Sequence, residues 1–203
     1  KNEYTDIKVN CIAESGPLVA VVEQELRQHK YDLIAVGANG AANLYEKLIG
    51  TSAKAILKYS KIPVIVVPVI TQLSLPSNIL VAVDSHFLNI KNQLVNILQG
   101  FKNKSLSITL FHINEADDMN DDDYQVLKHE LSALNSHIEI ESYTKKSSTE
   151  SIDNQILEFA ENHEMDMIIT SPNNHSFFER LFTQSITNLL FEKTHLPLIA
   201  LKN

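Results

Sequence analysis

The sequence contains one cysteine, Cys11, no tryptophan and only five glycines among its 203 residues. A single cysteine excludes an internal disulfide framework and is typical of a chain kept in a reducing compartment. No apolar run approaches the ~20 residues that span a bilayer, since the longest, 62–70, has only the length of a β-strand. No signal peptide is recognisable at the start. These absences predict a soluble, cytoplasmic protein with no membrane partner.

Positive charge is also scarce, because 17 Lys and Arg face 25 Asp and Glu, for a formal net charge of −8. Such a balance argues against nucleic acid or an anionic membrane as the main partner. Residues 1–72 carry eight basic and seven acidic side chains, whereas residues 73–203 carry nine and eighteen. An anionic ligand would therefore meet less repulsion in the first third of the chain.

The chain repeats itself. "YDLIAVG" (31–37) resembles "MDMIITS" (165–171), and "IPVIVVP" (62–68) resembles "LPLIALK" (196–202), in both cases 134 positions apart. Between them, "LYEKLIG" (44–50) matches "FFERLFT" (177–183) with an offset of 133. Three similar pairs in the same order indicate two diverged copies of one domain. We predict domains at 1–72 and 77–203.

The second copy alternates apolar strand patterns with helical ones. This alternation predicts right-handed crossovers and a doubly wound parallel sheet in an α/β fold. The predicted strands cover 78–84, 107–113, 137–144, 165–171 and 196–202, with helices at 86–101, 122–134 and around 152–160 and a last helix before the final strand.

The first copy has fewer elements. We predict a strand within 5–16, equivalent to the third strand of the second copy, and a helix after Pro17. A strand at 31–37, a helix at 51–60 and a strand at 62–69 complete this copy. Two strands and two helices of the second copy thus have no counterpart. We expect either an N-terminally truncated or cleaved chain, or missing strands that another polypeptide supplies.

Three of the five glycines, Gly37, Gly40 and Gly50, fall within fourteen positions and precede Thr51. The segment follows a buried strand and precedes a helix, and ligands of open α/β sheets bind at that edge. Free amides and the dipole of a helix N-terminus attract anions, and the hydroxyls of Thr51 and Ser52 can donate to phosphate or cap the helix. The spacing G-x2-G-x9-G-T fits neither the dinucleotide fingerprint nor the P-loop. The competing interpretation is a turn followed by an ordinary helix cap.

The stretch "YDLIAVGANG…LIGTSAKAILKYSKIPVIVVP" resembles the C-terminal half of a universal stress protein domain, which carries Gly-x2-Gly-x9-Gly-[Ser/Thr] before a helix and an apolar strand. The resemblance covers the chain as a tandem pair. It implies a five-stranded parallel sheet of order 3-2-1-4-5 in each complete copy, of the adenine-nucleotide-binding type. It further implies ATP binding, with phosphates on Gly37, Gly40, Gly50 and Thr51. Asn39 and Ser52 lie in the same segment and join the candidate contacts.

The second copy departs from this pattern. No glycine stands at its aligned positions near Ser171, Asn173 and Thr183, and Phe177, Phe178 and Phe182 would crowd a phosphate. Asp84 matches the acidic residue that ends the family's first strand and holds the adenosine part, although it is equally suited to cap the following helix. We predict a degenerate second copy that binds no ATP or binds something else.

Other chemistry is poorly represented. The eight histidines form no HExxH or i, i+4 pair, so no metal site is predicted. The acidic run 117–123 lacks the glycine and closing glutamate of an EF-hand, and a solvated loop and helix start fits it better. His112 is expected in the core or at its rim, and Cys11 buried in a strand. No Ser-His-Asp set is present, so catalysis is not indicated beyond slow ATP hydrolysis.

Two functional hypotheses follow. In the first, the chain is an ATP-binding stress-response or signalling module, with or without Mg²⁺ and with no covalent cofactor. In the second, it is an interaction scaffold that acts through domain pairing and partner binding. Because unpaired sheet edges seek partners, strand 62–69 is expected to pair with 196–201. That pairing predicts an intramolecular pseudo-dimer, and a homodimer is a further prediction.

Overall fold

The fold was analysed in a computed structural model. The structure describes residues 7–38, 50–68, 74–83, 91–101, 104–114, 121–134, 137–146, 150–170 and 196–202. The chain divides into two compact units, residues 1–30 and residues 31–203.

The first unit contains one helix, α1 (Leu18–Gln28), which begins directly after Pro17 as predicted. A proline suits this position because it has no amide hydrogen to leave unsatisfied. The helix ends at His29, whose amide donates to the carbonyl of Glu25 at 3.0 Å and whose ring Nδ1 lies 3.0 Å from the Glu25 carboxylate.

The prediction of a strand within 5–16 is wrong for the residues that the structure describes. Residues 7–15 form no strand and are exposed, with Val9 77% accessible, and Cys11 is exposed rather than buried. The alternating pattern of this segment is real, but a strand needs a neighbour to satisfy its backbone. The strand predicted as its equivalent, at 107–113, has neighbouring strands, whereas the described residues 7–15 pair with no strand. Pattern alone therefore over-predicted both strand and burial.

The second unit confirms the α/β prediction, with a mostly parallel sheet and helices. Its strands are β1 (Ile34–Gly37), β2 (Val64–Val67), β3 (Asn78–Val83), β4 (Leu106–Asn114), β5 (Ile138–Lys146), β6 (Met167–Thr170) and β7 (Leu198–Ala200). Its helices are α2 (Thr51–Tyr59), α3 (Lys91–Gln99), α4 (Asp121–Ser132) and α5 (Ile152–Asn162). Each lies within or close to a predicted segment. The last predicted helix, before β7, lies outside the described residues. None of the described helices has the length and apolar character to cross a membrane.

All seven strands form one sheet, in the order β1-β2-β7-β6-β3-β4-β5. Every neighbouring pair is parallel except β2 and β7, which are antiparallel. The five strands between residues 78 and 200 therefore stand side by side as β5-β4-β3-β6-β7, and the two strands between residues 34 and 67 extend that sheet through β2.

The antiparallel join is centred on one pair of residues, Ile65 and Ile199. These two residues are 134 positions apart, which is the offset of the sequence repeat. The parallel registers follow the same offset, because Ile34 pairs with Val64 and Ile168 pairs with Leu198. An antiparallel pairing centred on equivalent residues is the arrangement that a local two-fold axis produces. The strand pairing predicted between 62–69 and 196–201 is thus confirmed by its register.

The sheet is buried on both faces through its middle, as expected for parallel strands covered by helices. Successive residues of β3 point to opposite faces. One face packs against α3 and α4 through Leu94, Leu98, Leu127 and Leu131, and the other against α5, where the ring of Phe111 lies 4.7 Å from that of Phe159. One core cluster consists of Ile79, Val81, Val83, Leu94, Leu98, Leu106, Ile108, Leu110, Leu127, Leu131, Ile138, Ile140, Met167, Ile169, Ile199 and Leu201.

Lys202, directly after β7, contacts both α3 and α2. Its backbone amide donates to Oε1 of Gln93 on α3 at 2.8 Å, and its carbonyl accepts from Nε2 of the same side chain. Its ammonium donates to the carbonyl of Leu57 in the last turn of α2. Cations are favoured there because the last carbonyls of a helix lack intrahelical donors. Burial lowers the pKa of Lys202.

The pairing of β2 with β7 can be tested by a double-mutant cycle. Because Ile65 and Ile199 are direct cross-strand partners, Ile65→Ala and Ile199→Ala should couple by roughly 0.5–1 kcal/mol in the free energy of unfolding. Urea denaturation of both single variants and the double variant measures that coupling energy. A second cycle of Ile65→Ala with Leu157→Ala on α5 should be additive. Additivity of the Ile65 and Ile199 variants would contradict the register.

A second prediction concerns pH. Since the pKa of Lys202 is lowered in the folded chain from its ordinary 10.5, the unfolded chain binds more protons at this site between the two values. The free energy of unfolding should therefore rise with pH across that window through this group. Urea denaturation from pH 7 to 10.5 should show a steeper rise for the wild type than for Lys202→Met. Parallel stability curves for the two proteins would rule out a buried ammonium here.

Candidate functional site

The candidate site begins where β1 ends. Gly37 is the last residue of the strand, and Ala38 follows it with only 4% of its surface exposed. The amide of Ala38 donates to the carbonyl of Val67 at 2.9 Å, which extends the β1–β2 ladder one residue beyond the strand. The chain is therefore held in the plane of the sheet until the glycine-rich segment starts.

A hydrogen bond joins the residues on either side of that segment. The amide of Gly50 donates to the carbonyl of Ala38 at 2.6 Å, so the residues that precede and follow 39–49 are in contact. Gly50 is then the cap residue of α2, and its carbonyl accepts from the amide of Lys54 at 3.0 Å, the first bond of the helix. The N-terminus of α2 is thereby fixed at the carboxyl edge of β1.

The first turn of α2 carries no compensating negative charge. Among the described residues no side chain caps this helix, and its first turn contains no acidic residue. Thr51 and Ser52 are exposed, whereas Ala53, Ile56 and Leu57 are buried and anchor the helix. The interpretation of Thr51 or Ser52 as a helix cap finds no hydrogen bond to support it. The amides of the first turn and the positive end of the helix dipole remain suited to an anion.

The glycines are not required here for unusual backbone angles. Gly50 has φ −60°, Gly37 lies in a regular strand, and Gly16 is the only glycine with positive φ among the described residues. Of the two ordinary reasons for glycine, positive φ and close approach of another group to the backbone, the first does not apply to Gly37 and Gly50.

Four of the seven predicted site residues are therefore close together: Gly37, Gly50, Thr51 and Ser52 surround the Ala38–Gly50 contact. The amide of Gly50 is already engaged by Ala38, so the amides of the helix itself would have to bind a ligand. Asn39, Gly40 and Asp84 lie outside the described residues, as do the aligned positions of the second copy.

Residues considered for other chemistry have structural partners. His112 is 5% exposed, its Nδ1 lies 3.2 Å from the carbonyl oxygen of Val83, and its ring makes an edge contact with Tyr124 at 5.9 Å. It is a core residue, as predicted. Within the described part of the chain, no three His, Cys, Asp or Glu residues come together as a metal site.

Sequence reasoning missed a cavity beside α5. A cavity of about 320 Å³ lies between β5, α5 and the beginnings of β3 and β4, and its lining includes Glu141, Tyr143, Phe159 and His163. The alternation of 137–144 indicates a half-buried strand. It does not indicate that the aromatic face of α5 covers only part of this strand and leaves a cavity beside it.

The fold and the site define an α/β protein with an anion-attracting helix N-terminus after a glycine-rich strand exit. Residues 1–68 match the model of the universal stress protein family. The family resemblance predicted from the sequence is thereby confirmed over this stretch of the chain. No curated protein matches the sequence.

Solved structures resemble the chain in fold. A universal stress protein from Archaeoglobus fulgidus is 18% identical over 92% of this chain, with a TM-score of 0.60, and the chain spans 65% of its length. A protein of unknown function from Pseudomonas aeruginosa is 12% identical over 94% of this chain and 69% of its own, with a TM-score of 0.51. A universal stress protein in complex with cAMP is 10% identical over 64% of this chain and 98% of its own, with a TM-score of 0.45.

Proposed function

We propose that the chain is an adenine-nucleotide-binding module of the stress response, with ATP as its ligand. The observation that carries this proposal is the N-terminus of α2, which no described side chain caps and which the Gly50–Ala38 hydrogen bond holds against the exit of β1. The nucleotide class comes from the family motif G-x2-G-x9-G-T, of which Gly37, Gly50 and Thr51 lie around that contact.

In the proposed complex the phosphates lie over Gly37 and Gly40, where the absence of a Cβ permits close approach. The amides of the first turn of α2 and the hydroxyls of Thr51 and Ser52 donate to phosphate oxygens. Mg²⁺ would accompany the phosphates rather than bind to a protein cage, as is usual for this ion. Asn39 remains a candidate contact in the same segment, and Asp84 a candidate contact to the adenosine part or a helix cap in the second copy.

A second function has its own support. The β2–β7 join makes one sheet from strands of both copies, so the pair could act as a rigid scaffold for a protein partner without any ligand. Under this alternative we also propose that 1–72 and 77–203 are tandem domains, that they form an intramolecular pseudo-dimer, and that two chains form a homodimer. It needs no chemistry at the glycine segment, and it predicts no heat on titration with ATP. Both alternatives place the protein in the cytoplasm.

Calorimetric titration of the chain with ATP distinguishes the two functions, and Thr51→Glu is the informative variant. A carboxylate in the first turn favours the helix but repels phosphate and removes a hydroxyl donor. We expect Thr51→Glu to weaken ATP binding at least about tenfold, a cost of ~1.4 kcal/mol, while leaving the stability of the protein equal or higher.

Gln125→Glu is the matched control, because it adds the same charge to an exposed position of α4. It should leave the affinity for ATP unchanged. ATP binding that Thr51→Glu does not weaken would place the nucleotide elsewhere. An absence of binding to the wild type would leave the scaffold as the better account.

A further inference from the structure

The cavity beside α5 has a composition that the nucleotide proposal does not use. It lies at the beginnings of β3 and β4, where Asn78 and Ser107 line it, and not at their carboxyl ends. In open α/β sheets the usual ligand position is the carboxyl edge. Its volume of about 320 Å³ is at the lower end of the range for small-molecule sites.

Three aromatic rings form one wall of this cavity. The ring of Phe159 stacks on that of His163 at 3.8 Å, and the ring of Tyr143 lies 4.7 Å from Phe159 and 6.2 Å from His163. Phe159 is 7% exposed and anchors the group, whereas Tyr143 is 45% exposed and presents its ring toward solvent. The negative face of such a ring attracts a cation.

The polar groups of the cavity are mainly acceptors. Nδ1 of His163 lies 2.9 Å from the carbonyl of Phe159, which it meets as a donor, so in the neutral ring Nε2 keeps its lone pair. Glu141 supplies a carboxylate that makes no hydrogen bond or ion pair with any part of the described chain. Ser107 and Thr109 add hydroxyls.

Among the described residues, no lysine or arginine lines the cavity. The nearest lysine along β5 is Lys145, whose Nζ is paired with Glu158 on α5 at 3.0 Å. Residues 73–203 carry nine basic and eighteen acidic side chains, so the surrounding field is also negative. Both the local and the wider electrostatics select a positively charged ligand.

We propose that this cavity, bounded by Tyr143, Phe159, His163 and Glu141, binds a small organic cation with an apolar ammonium head. The ring of Tyr143 contacts the head, Glu141 balances its charge, and the hydroxyls of Ser107 and Thr109 bind a polar tail. No residue that lines the cavity belongs to 37–52, so this proposal stands or fails independently of ATP binding.

Calorimetry or ligand-detected NMR with choline as the probe tests the proposal on the full chain. We expect saturable binding of choline and at least about tenfold weaker binding of 3,3-dimethyl-1-butanol, its neutral isostere, because the charge supplies the attraction. Glu141→Gln should weaken choline binding about five- to tenfold, and Tyr143→Leu about two- to fivefold.

Glu139→Gln is the matched control, since Glu139 is an exposed carboxylate two residues earlier on the same face of β5. It should leave the affinity for choline unchanged, and urea midpoints should show that all variants are folded. Equal binding of choline and its neutral isostere, equal effects of Glu139→Gln and Glu141→Gln, or no binding of choline would each overturn the proposal.

Discussion

The antiparallel contact between β2 and β7 is the constraint on which the arrangement of this molecule depends. Without it, β1, β2 and α2 would be a two-stranded fragment, and such fragments are marginal in water. The contact places Val64 and Val66, both fully buried, next to the five-stranded part of the sheet formed by β3 to β7. β1 and β2 therefore gain their burial from that part of the sheet, and α2 obtains a fixed position at the end of β1.

This dependence connects stability to the candidate nucleotide site. The site is built from the exit of β1 and the start of α2, and β1 is held only by β2 among the described strands. Lys202 reinforces the same junction at the other end of α2, through the carbonyl of Leu57. A substitution at the β2–β7 contact would therefore affect the candidate site through β2 and β1, although it changes no residue of the site itself.

The candidate nucleotide site and the cavity beside α5 have opposite electrostatic character. The first turn of α2 carries no acidic residue and belongs to residues 1–72, whose charges nearly balance, which suits an anion. Beside α5, acceptors and aromatic faces stand in an acidic half, which suits a cation.

Local pattern by itself determined the helices α1 to α5, the strands β1 to β7 and the glycine motif, because periodicity, caps and glycine spacing act within a few residues. It failed at 7–15, where a correct alternation found no partner strand, and hence at Cys11. Only the tertiary structure decided that Ile65 meets Ile199, that Gly50 bonds to Ala38 and that Tyr143 faces Phe159 and His163. These are contacts between distant parts of the chain, set by register and packing, which a local pattern does not encode.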